Sequence, residues 1–163
     1  DKHFLIFFKN DQGLNLKGIC FNSKDTEIAD YLLKHQQFKF YFLGSYPPEE
    51  MPHYFACADA LLITLKKADI FSYTIPGKLQ SYLACRKPII GALDGIGKKI
   101  IEESKSGLCA HAENAIDLAN NIFKLHNSTE QIKEDYSKNA IRYFKHNFAK
   151  EKLLSDLEKI LEK

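Results

Sequence analysis

The sequence predicts an α/β fold in which helices cover both faces of a mainly parallel sheet. Short apolar runs, several of them ended by glycine or a polar residue, alternate along the chain with segments of helical spacing. The runs at residues 60–65 and 89–92 are apolar except for Thr64, which is typical of strands buried on both faces of a parallel sheet. Strands that alternate with helices need right-handed crossovers, so we expect a Rossmann-like arrangement of layers with a helical C-terminus.

The first elements are predicted from three apolar runs and one periodic segment. Residues 3–8 and 16–21 predict strands joined by a turn at residues 10–13. The sequence leaves open whether these two strands are sequential strands of the sheet or a hairpin. Residues 27–34 predict a helix because their apolar side chains recur with helical spacing. A strand is predicted at residues 38–43, where Gly44 ends it.

The central elements follow the same alternation. Residues 47–50 predict the start of a helix because Pro suits the first turn and early negative charge suits the helix dipole. Its apolar face consists of Met51, Tyr54, Phe55 and Ala58. Residues 60–65 predict a buried strand. A helix at residues 76–86 is expected to end there because Pro88 cannot continue it, and residues 88–92 predict the next buried strand.

The last third of the chain predicts mainly helices. Residues 96–104 predict a short helix closed by Gly107, and residues 108–110 predict one more strand. Three helices then follow from their apolar spacing. They are marked by Ala115, Leu118, Ala119, Ile122 and Leu125; by Ile132, Tyr136, Ala140, Tyr143 and Phe144; and by Leu153, Leu154, Leu157, Ile160 and Leu161.

Length and composition indicate one soluble domain over residues 1–163. A chain of this length buries a core without disulfides or metals, and it has no apolar run as long as a membrane span. The formal net charge of +2 is too small to indicate nucleic-acid binding. The four cysteines lack the spacing of a zinc site or a redox motif, so we interpret them as reduced core residues of a cytosolic protein.

The six histidines show no metal-ligand spacing, and each is more typical of a surface or packing residue than of a catalyst. His53 and His111 are the two of most interest. The chain begins at Asp1 without methionine or a charged-then-apolar leader, which favours a piece of a longer chain over a secretory signal.

The segment at residues 75–92 carries the most information about function. Pro76 fixes φ where a helix can begin, Gly77 lets a ligand approach the backbone, and Lys78 places a cation beside the unpaired amides of a helix N-terminus. An anionic ligand such as a phosphate group would bind there. A helix with a good start and no ligand is an equally good interpretation of the spacing alone.

This segment also resembles a family motif. Residues 76–90, Pro-Gly-Lys-Leu-Gln-Ser-Tyr-Leu-Ala-Cys-Arg-Lys-Pro-Ile-Ile, are similar to P-S-K-L-x-[ES]-Y-L-A-x-G-K-P-I in the C-terminal, donor-binding half of GT-B fold glycosyltransferases. The likeness is to retaining bacterial group 1 enzymes that build surface polysaccharides. Residues 42–62 resemble that family's F-L-G-x-x-P-x-E-x-M-P-x-Y-x-A-x-A-D-A-L, and residues 100–108 and 139–144 fall in family order, so the resemblance covers roughly residues 20–160.

The resemblance implies that the loops at the carboxyl ends of the strands bind a nucleoside diphosphate-sugar, UDP-linked and with an N-acetylated sugar as one expected form. The diphosphate would lie at Gly77, Lys78 and Leu79. The nucleoside would lie near Gly44, Ser45, Gln80 and Ser81. The sugar would lie near Asp69, Ser72, Tyr73, Thr74, Asp94 and Gly95. Ordinary turn chemistry is an equally good interpretation of Ser45 and Asp94.

The chain departs from the family at two acidic positions. Related enzymes hold the donor with a pair of glutamates separated by seven residues, and this chain has Tyr73 and Ser81 there. A hydroxyl at Ser81, helped by Gln80, could bond a ribose hydroxyl, although more weakly than a carboxylate. A Gln-Ser variant also occurs in a similar polysaccharide-building branch, so the departure does not indicate inactivity. The sequence identifies no catalytic residue.

The resemblance also implies the cofactors, the partners and the location of the protein. We expect no metal or other cofactor, because the sequence has no Asp-x-Asp motif and the family stabilises the diphosphate by protein groups. The expected partners are the nucleotide-sugar donor and a saccharide or lipid-linked acceptor, the latter bound by an N-terminal domain absent from this chain. The chain would then be the donor-binding half of a hexosyltransferase-type enzyme and inactive alone. The full-length enzyme would be cytoplasmic, with peripheral association at the inner face of the membrane left open.

Two other functions compete with this interpretation. A degenerate, non-catalytic transferase-like module that binds a partner protein through its C-terminal helices is favoured by the missing glutamates and opposed by the intact Pro-Gly-Lys turn. A nucleotide-sugar epimerase is weaker, because the chain lacks the glycine fingerprint and a Tyr-x-x-x-Lys motif.

Overall fold

Six strands form one sheet in this computed structural model, which describes residues 4–9, 15–20, 38–42 and 46–162. The strands are β1 (Phe4–Lys9), β2 (Asn15–Cys20), β3 (Phe38–Phe42), β4 (Ala60–Thr64), β5 (Ile89–Ala92) and β6 (Gly107–Ala110). Their order in the sheet is β3-β2-β1-β4-β5-β6, the order of the Rossmann fold. The helix predicted at residues 27–34, the turn at residues 10–13, Gly44 and Ser45 lie outside the described residues.

The sheet is mainly parallel, as predicted. β4, β5 and β6 pair in parallel, and so do β2 and β3. β1 is antiparallel to both of its neighbours, β2 and β4. Three of the five pairings among the described strands are therefore parallel. Of the two arrangements that the sequence left open for the first strands, the structure has the hairpin, since β1 and β2 pair from Phe4–Cys20 to Lys9–Asn15.

Seven helices are described between residues 46 and 162. They are α1 (Met51–Cys57), α2 (Asp69–Ser72), α3 (Gly77–Ala84), α4 (Gly95–Ser104), α5 (Ala115–His126), α6 (Glu130–Asn147) and α7 (Lys150–Leu161). The short α2 was not predicted, and it lies within the loop that connects β4 to α3. Within the described parts of the chain, no helix is long and apolar enough to cross a membrane.

Helices cover both faces of the sheet, and the apolar side chains of β4 pack on the helices of both faces. Leu61 and Ile63 point to one face while Ala60 and Leu62 point to the other, because successive side chains of a strand alternate. The first face packs on α1, α3, α4 and α6 through Met51, Phe55, Leu79, Tyr82, Leu83, Ile100, Ile101 and Ala140. The second packs on α5 through Leu118, Ile122 and Leu125.

Two helix ends differ from the predictions. Residues 47–50 form a turn, in which the Glu50 N–H donates to the Pro47 carbonyl at 3.0 Å, and α1 begins only at Met51. The reason is Pro52, which has no N–H for an intrahelical bond and fits a helix only in its first turn. At the end of α4 the left-handed residue is Lys105, with φ 51°.

Gly107 therefore does not close α4; it begins β6. A Cβ at this position would lie 1.7 Å from the carbonyl oxygen of Ile89, so only glycine lets β6 lie this close to β5. Asn139 of α6 stabilises the preceding turn by donating from Nδ2 to the Lys105 carbonyl at 3.0 Å.

The terminal helix α7 carries an apolar stripe that is exposed. It buries no residue. Its exposed apolar side chains, spaced for one helix face, are Leu153, Leu154, Leu157, Ile160 and Leu161. The prediction of a helix here is confirmed, but its stripe lies outside both core clusters.

Candidate functional site

The loops that follow β4 and β5 leave the sheet at the same edge, because the two strands are parallel neighbours. The β4 loop contains α2 and leads to α3, and the β5 loop leads through Asp94 directly to α4. In open α/β sheets this carboxyl edge is where ligands bind. The candidate site is therefore built from α2 and the first turns of α3 and α4.

The first contact in this site joins the end of α2 to the start of α4. Gly95 has φ +67°, and a Cβ built on it would lie 2.1 Å from the carbonyl oxygen of Ser72. Only glycine fits where two backbones come this close in this conformation. The structure thus brings together three of the residues predicted to lie near the sugar, Ser72, Asp94 and Gly95.

A second contact joins the starts of α3 and α4. Gly97 is buried, and a Cβ built on it would lie 3.2 Å from Cδ of Pro76, the N-cap residue of α3. Neither N-cap side chain, that of Pro76 or that of Asp94, bonds its own helix. By contrast, Asn114 caps α5 and Thr129 caps α6 by accepting from backbone amides. Two helix starts without side-chain caps therefore lie next to each other at the carboxyl edge.

One face of helix α3 packs in the core, and the opposite face is exposed. Leu79, Tyr82 and Leu83 are fully buried, and the Tyr82 ring meets that of Phe55 edge-on at 5.3 Å. Gly77 and Ser81, four residues apart, are exposed on the same side of the helix. No atom lies within 4 Å of a Cβ built on Gly77, so a ligand can reach this stretch of backbone.

The remaining residues predicted for the diphosphate and nucleoside lie close to Gly77 along α3. Lys78 and Gln80 are half-buried. Leu79 contributes by packing, because its side chain is buried and its N–H donates to the Pro76 carbonyl at 2.8 Å. Gly44 and Ser45 lie outside the described residues, so the structure does not place the nucleoside loop.

The other residues predicted for the sugar lie on the exposed part of the β4–α3 loop. Asp69 is the first residue of α2, and Tyr73 follows its end with 78% of its surface exposed. Thr74 is exposed, and its hydroxyl donates to the Ile70 carbonyl at 3.0 Å. Ser72, by contrast, contacts the start of α4 at Gly95.

Sequence reasoning missed a side-chain network beside these contacts. His111 Nδ1 lies 2.7 Å from Oδ1 of Asp94, and His111 Nε2 lies 3.2 Å from Nζ of Lys98. The hydrogen bond from His111, and then that from the Ala112 backbone, holds the pKa of the Asp94 carboxyl below its usual value. His111 and Asp94 follow neighbouring parallel strands, β6 and β5, and that topology was the signal that could have paired them.

Metal ligands are not grouped in this region. Among residues that the structure describes, no three or more His, Cys, Asp or Glu side chains are placed to hold a metal ion. Burial raises the pKa of the Cys109 thiol to about 11, so this thiol is protonated at neutral pH. The cations of the site are lysines, of which Lys78 and Lys98 lie in the first turns of α3 and α4.

Comparison with known families decides the assignment. The family described as "Glycosyl transferases group 1" matches residues 16–128, well over half of the chain. The chain belongs to this family. The match covers β2 to α5, and so includes every element of the candidate site. No curated protein matches the chain. The chain is therefore a group 1 glycosyltransferase domain with a Rossmann-like α/β fold, and its family indicates glycosyl transfer as its chemistry.

Proposed function

We propose that this group 1 glycosyltransferase domain binds a UDP-linked sugar, N-acetylated in the expected form, for transfer to a saccharide or lipid-linked acceptor in surface-polysaccharide synthesis. The observation that carries the proposal is the meeting of the starts of α3 and α4 at the carboxyl edge, where Pro76 and Gly97 pack together. Both starts lack side-chain caps, and unpaired amides at a helix start bind anions.

The diphosphate is assigned to the start of α3. The open space at Gly77 admits a phosphate to the backbone, and Lys78 in the same turn supplies a positive charge. Glycosyl transfer needs negative charge on the leaving diphosphate to be stabilised as the sugar departs, and fixed amides and a lysine meet that need. No metal ion enters this proposal, because protein groups carry the charge.

The nucleoside and the sugar are assigned to opposite sides of the diphosphate. Ser81 is exposed one turn beyond Gly77 on the same face of α3, which supports a bond from its hydroxyl to the ribose. The sugar is assigned to the start of α4, where Ser72 meets Gly95 and the Asp94 carboxylate is partly exposed. Carboxylates accept strong hydrogen bonds from sugar hydroxyls.

The acceptor is assigned to an N-terminal domain of similar fold that would complete a GT-B enzyme. The catalytic machinery would then be shared between two domains, with transfer retaining the anomeric configuration and with this chain inactive alone. The full enzyme would act in the cytoplasm on hexose-type donors. Robust sugar transfer by residues 1–163 without a partner would contradict this half-enzyme proposal.

The test is calorimetric titration of the protein with UDP, ADP, GDP and a panel of UDP-sugars. UDP and a UDP-sugar should bind, and Lys78→Ala should weaken both about tenfold or more, since a charge-assisted hydrogen bond is worth about 1.5–3 kcal/mol. Lys124→Ala, which removes an exposed lysine from α5 on the other face of the sheet, is the matched control. Equal affinity of the wild type and Lys78→Ala for every diphosphate, or no binding at all, would overturn the proposal.

One observation favours a second function, a transferase-like module that binds another protein. The exposed stripe of α7, with Leu157 51% and Ile160 69% exposed, is suited to contact with an apolar partner surface. The same titrations separate the two functions. A full-length protein inert toward all nucleotide-sugars would favour the interaction module.

A further inference from the structure

Asp94 occupies the N-cap position of α4 but does not cap it. Its backbone has the extended conformation of an N-cap residue, with φ −115° and ψ 178°, and its side chain makes no bond to the amides of its own helix. The carboxylate is instead bonded to His111, which follows β6. An aspartate in this position ordinarily accepts from the second or third amide of the helix.

His111 holds the carboxylate in this position from one side. A single state of the imidazole satisfies both of its contacts. With the proton on Nδ1 the ring donates to Asp94 Oδ1, and Nε2 then accepts from the ammonium group of Lys98, which can only donate. The ring is thus fixed between a carboxylate and an ammonium group although 70% of the side chain is exposed, so packing does not account for its orientation.

The held carboxylate lies next to the sugar region of the candidate site. Asp94 is followed directly by Gly95, whose backbone meets that of Ser72, and a quarter of its side-chain surface remains exposed, 26%. Since Oδ1 is bonded to His111, the direction of this bond decides where the carboxylate can meet a ligand hydroxyl.

We propose that His111 is a positioning residue of the donor site, which holds the Asp94 carboxylate where it accepts a hydroxyl of the donor sugar. This inference rests on the proposed function and adds to it a residue that acts on the sugar without touching the diphosphate. Without the imidazole, the Asp94 side chain turns to the amides of α4 and is withdrawn from the sugar. The diphosphate, at the start of α3, is unaffected.

The experiment compares the affinity for UDP with that for the UDP-sugar that the wild type binds most tightly. His111→Ala should weaken the UDP-sugar about tenfold, the cost of a charge-assisted hydrogen bond, and leave UDP unchanged within about twofold. His111→Asn should restore tight binding, because its amide can donate near the position of Nδ1. His111→Gln should not, because its amide reaches the position of Nε2. His146→Ala, an exposed histidine on α6, is the control.

A double-mutant cycle tests whether His111 acts through Asp94. Asp94→Ala and the double variant Asp94→Ala/His111→Ala should bind the UDP-sugar equally, because a positioning residue has no effect once its target is removed. Additive losses would overturn the inference. So would equal losses for UDP and UDP-sugar in His111→Ala, failure of Asn to rescue, or a wild type that binds no UDP-sugar more tightly than UDP.

The outcomes separate the two proposals. A wild type that binds neither UDP nor any UDP-sugar would overturn the donor site itself, and with it the role of His111. A wild type that binds both, with His111→Ala unaffected, would overturn the role of His111 alone. Melting temperatures show whether each variant is folded, and the exposed position of His111 predicts that the His111 variants are.

Discussion

The backbone of Gly95 lies against that of Ser72, with only 2.1 Å between the carbonyl oxygen of Ser72 and a Cβ built on Gly95. This contact fixes the start of α4 against the end of α2. The contact matters because predicted sugar-binding residues lie on both sides of it. Two glycines of the site therefore have opposite roles: Gly95 is required by packing, and Gly77 is open to solvent.

Gly95→Ala should destabilise the protein by about 1–3 kcal/mol or more, because it adds a clash with backbone to the strain of a left-handed residue. Gly77→Ala is the matched variant. It should leave stability unchanged or raise it by about 0.4–1 kcal/mol, since no atom stands in the way and the unfolded chain loses freedom. Urea unfolding of both variants measures the contrast, and equal stabilities would contradict the close approach.

Replacing Arg86 with glycine should raise the stability of the protein, whereas replacing it with alanine should not. Arg86 has φ 54° at the turn after α3, the position of glycine in the family pattern, and its guanidinium pairs with Glu134 of α6 at the surface. The left-handed conformation costs about 1–2 kcal/mol, whereas an exposed pair contributes about 0–1 kcal/mol. Arg86→Gly should therefore stabilise the protein slightly, and Arg86→Ala should destabilise it.

Thermal unfolding of these two variants and of Glu134→Gln measures both contributions. Glu134→Gln removes the ion pair and keeps the backbone, so it isolates the contribution of the pair. A glycine variant that is less stable than the alanine variant would show that the backbone at this turn is not strained.

Ser81→Glu should fold normally and bind the donor more tightly. Ser81 is exposed on α3, so the change should alter stability by no more than about 0.5 kcal/mol. A carboxylate accepts a stronger hydrogen bond from a ribose hydroxyl than a serine does, which predicts a gain in affinity. Asn120→Glu on α5 adds the same charge on the other face of the sheet and is the control in calorimetry. Unchanged affinity would remove Ser81 from the nucleoside site.

The rate at which each described cysteine is alkylated should fall as the burial of its thiol increases. Cys57 is exposed on α1, whereas burial raises the pKa of Cys85 and raises that of Cys109 to about 11. Because the thiolate is the reactive form, iodoacetamide at neutral pH should label Cys57 before Cys85 and Cys109. Peptide mass spectrometry after timed alkylation checks the order, and rapid labelling of Cys109 at neutral pH would contradict it.

The thiol of Cys109 makes the stability of the folded protein depend on pH in the alkaline range. The raised pKa of Cys109 means that its contribution is complete below the ordinary thiol pKa and is lost as the pH rises toward about 11. Over that interval the unfolded chain releases the proton and the folded chain retains it, so unfolding is increasingly favoured. Cys109→Ser should reduce this loss.

Apolar runs predicted the strands well because burial on both faces leaves a plain signal. β4 and β5 were both predicted within a residue of their observed ends, and the three C-terminal helices occur in the predicted order. The short α2 escaped prediction because four residues carry no helical period. The direction of β1 could not be read from sequence either, since an apolar run is the same in both directions.

The sequence predicted the part of the candidate site whose residues lie on a single segment of the chain. Gly77, Lys78 and Ser81 lie on one helix, so their spacing gave their arrangement. The bond between Asp94 and His111 joins residues that are 17 positions apart, and it depends on β5 and β6 being parallel neighbours. No local pattern encodes such a pair. The need for glycine at positions 95 and 97 likewise arises from contacts across the fold.

The uncapped starts of α3 and α4, which meet where Pro76 packs on Gly97, have a consequence for the protein's own stability. Each helix start carries about half a positive charge, and two such ends side by side repel each other. An anion placed between them converts this repulsion into two attractions. If the proposed diphosphate binds between these helix starts, it also holds them together, and its release after the sugar has been transferred would loosen them.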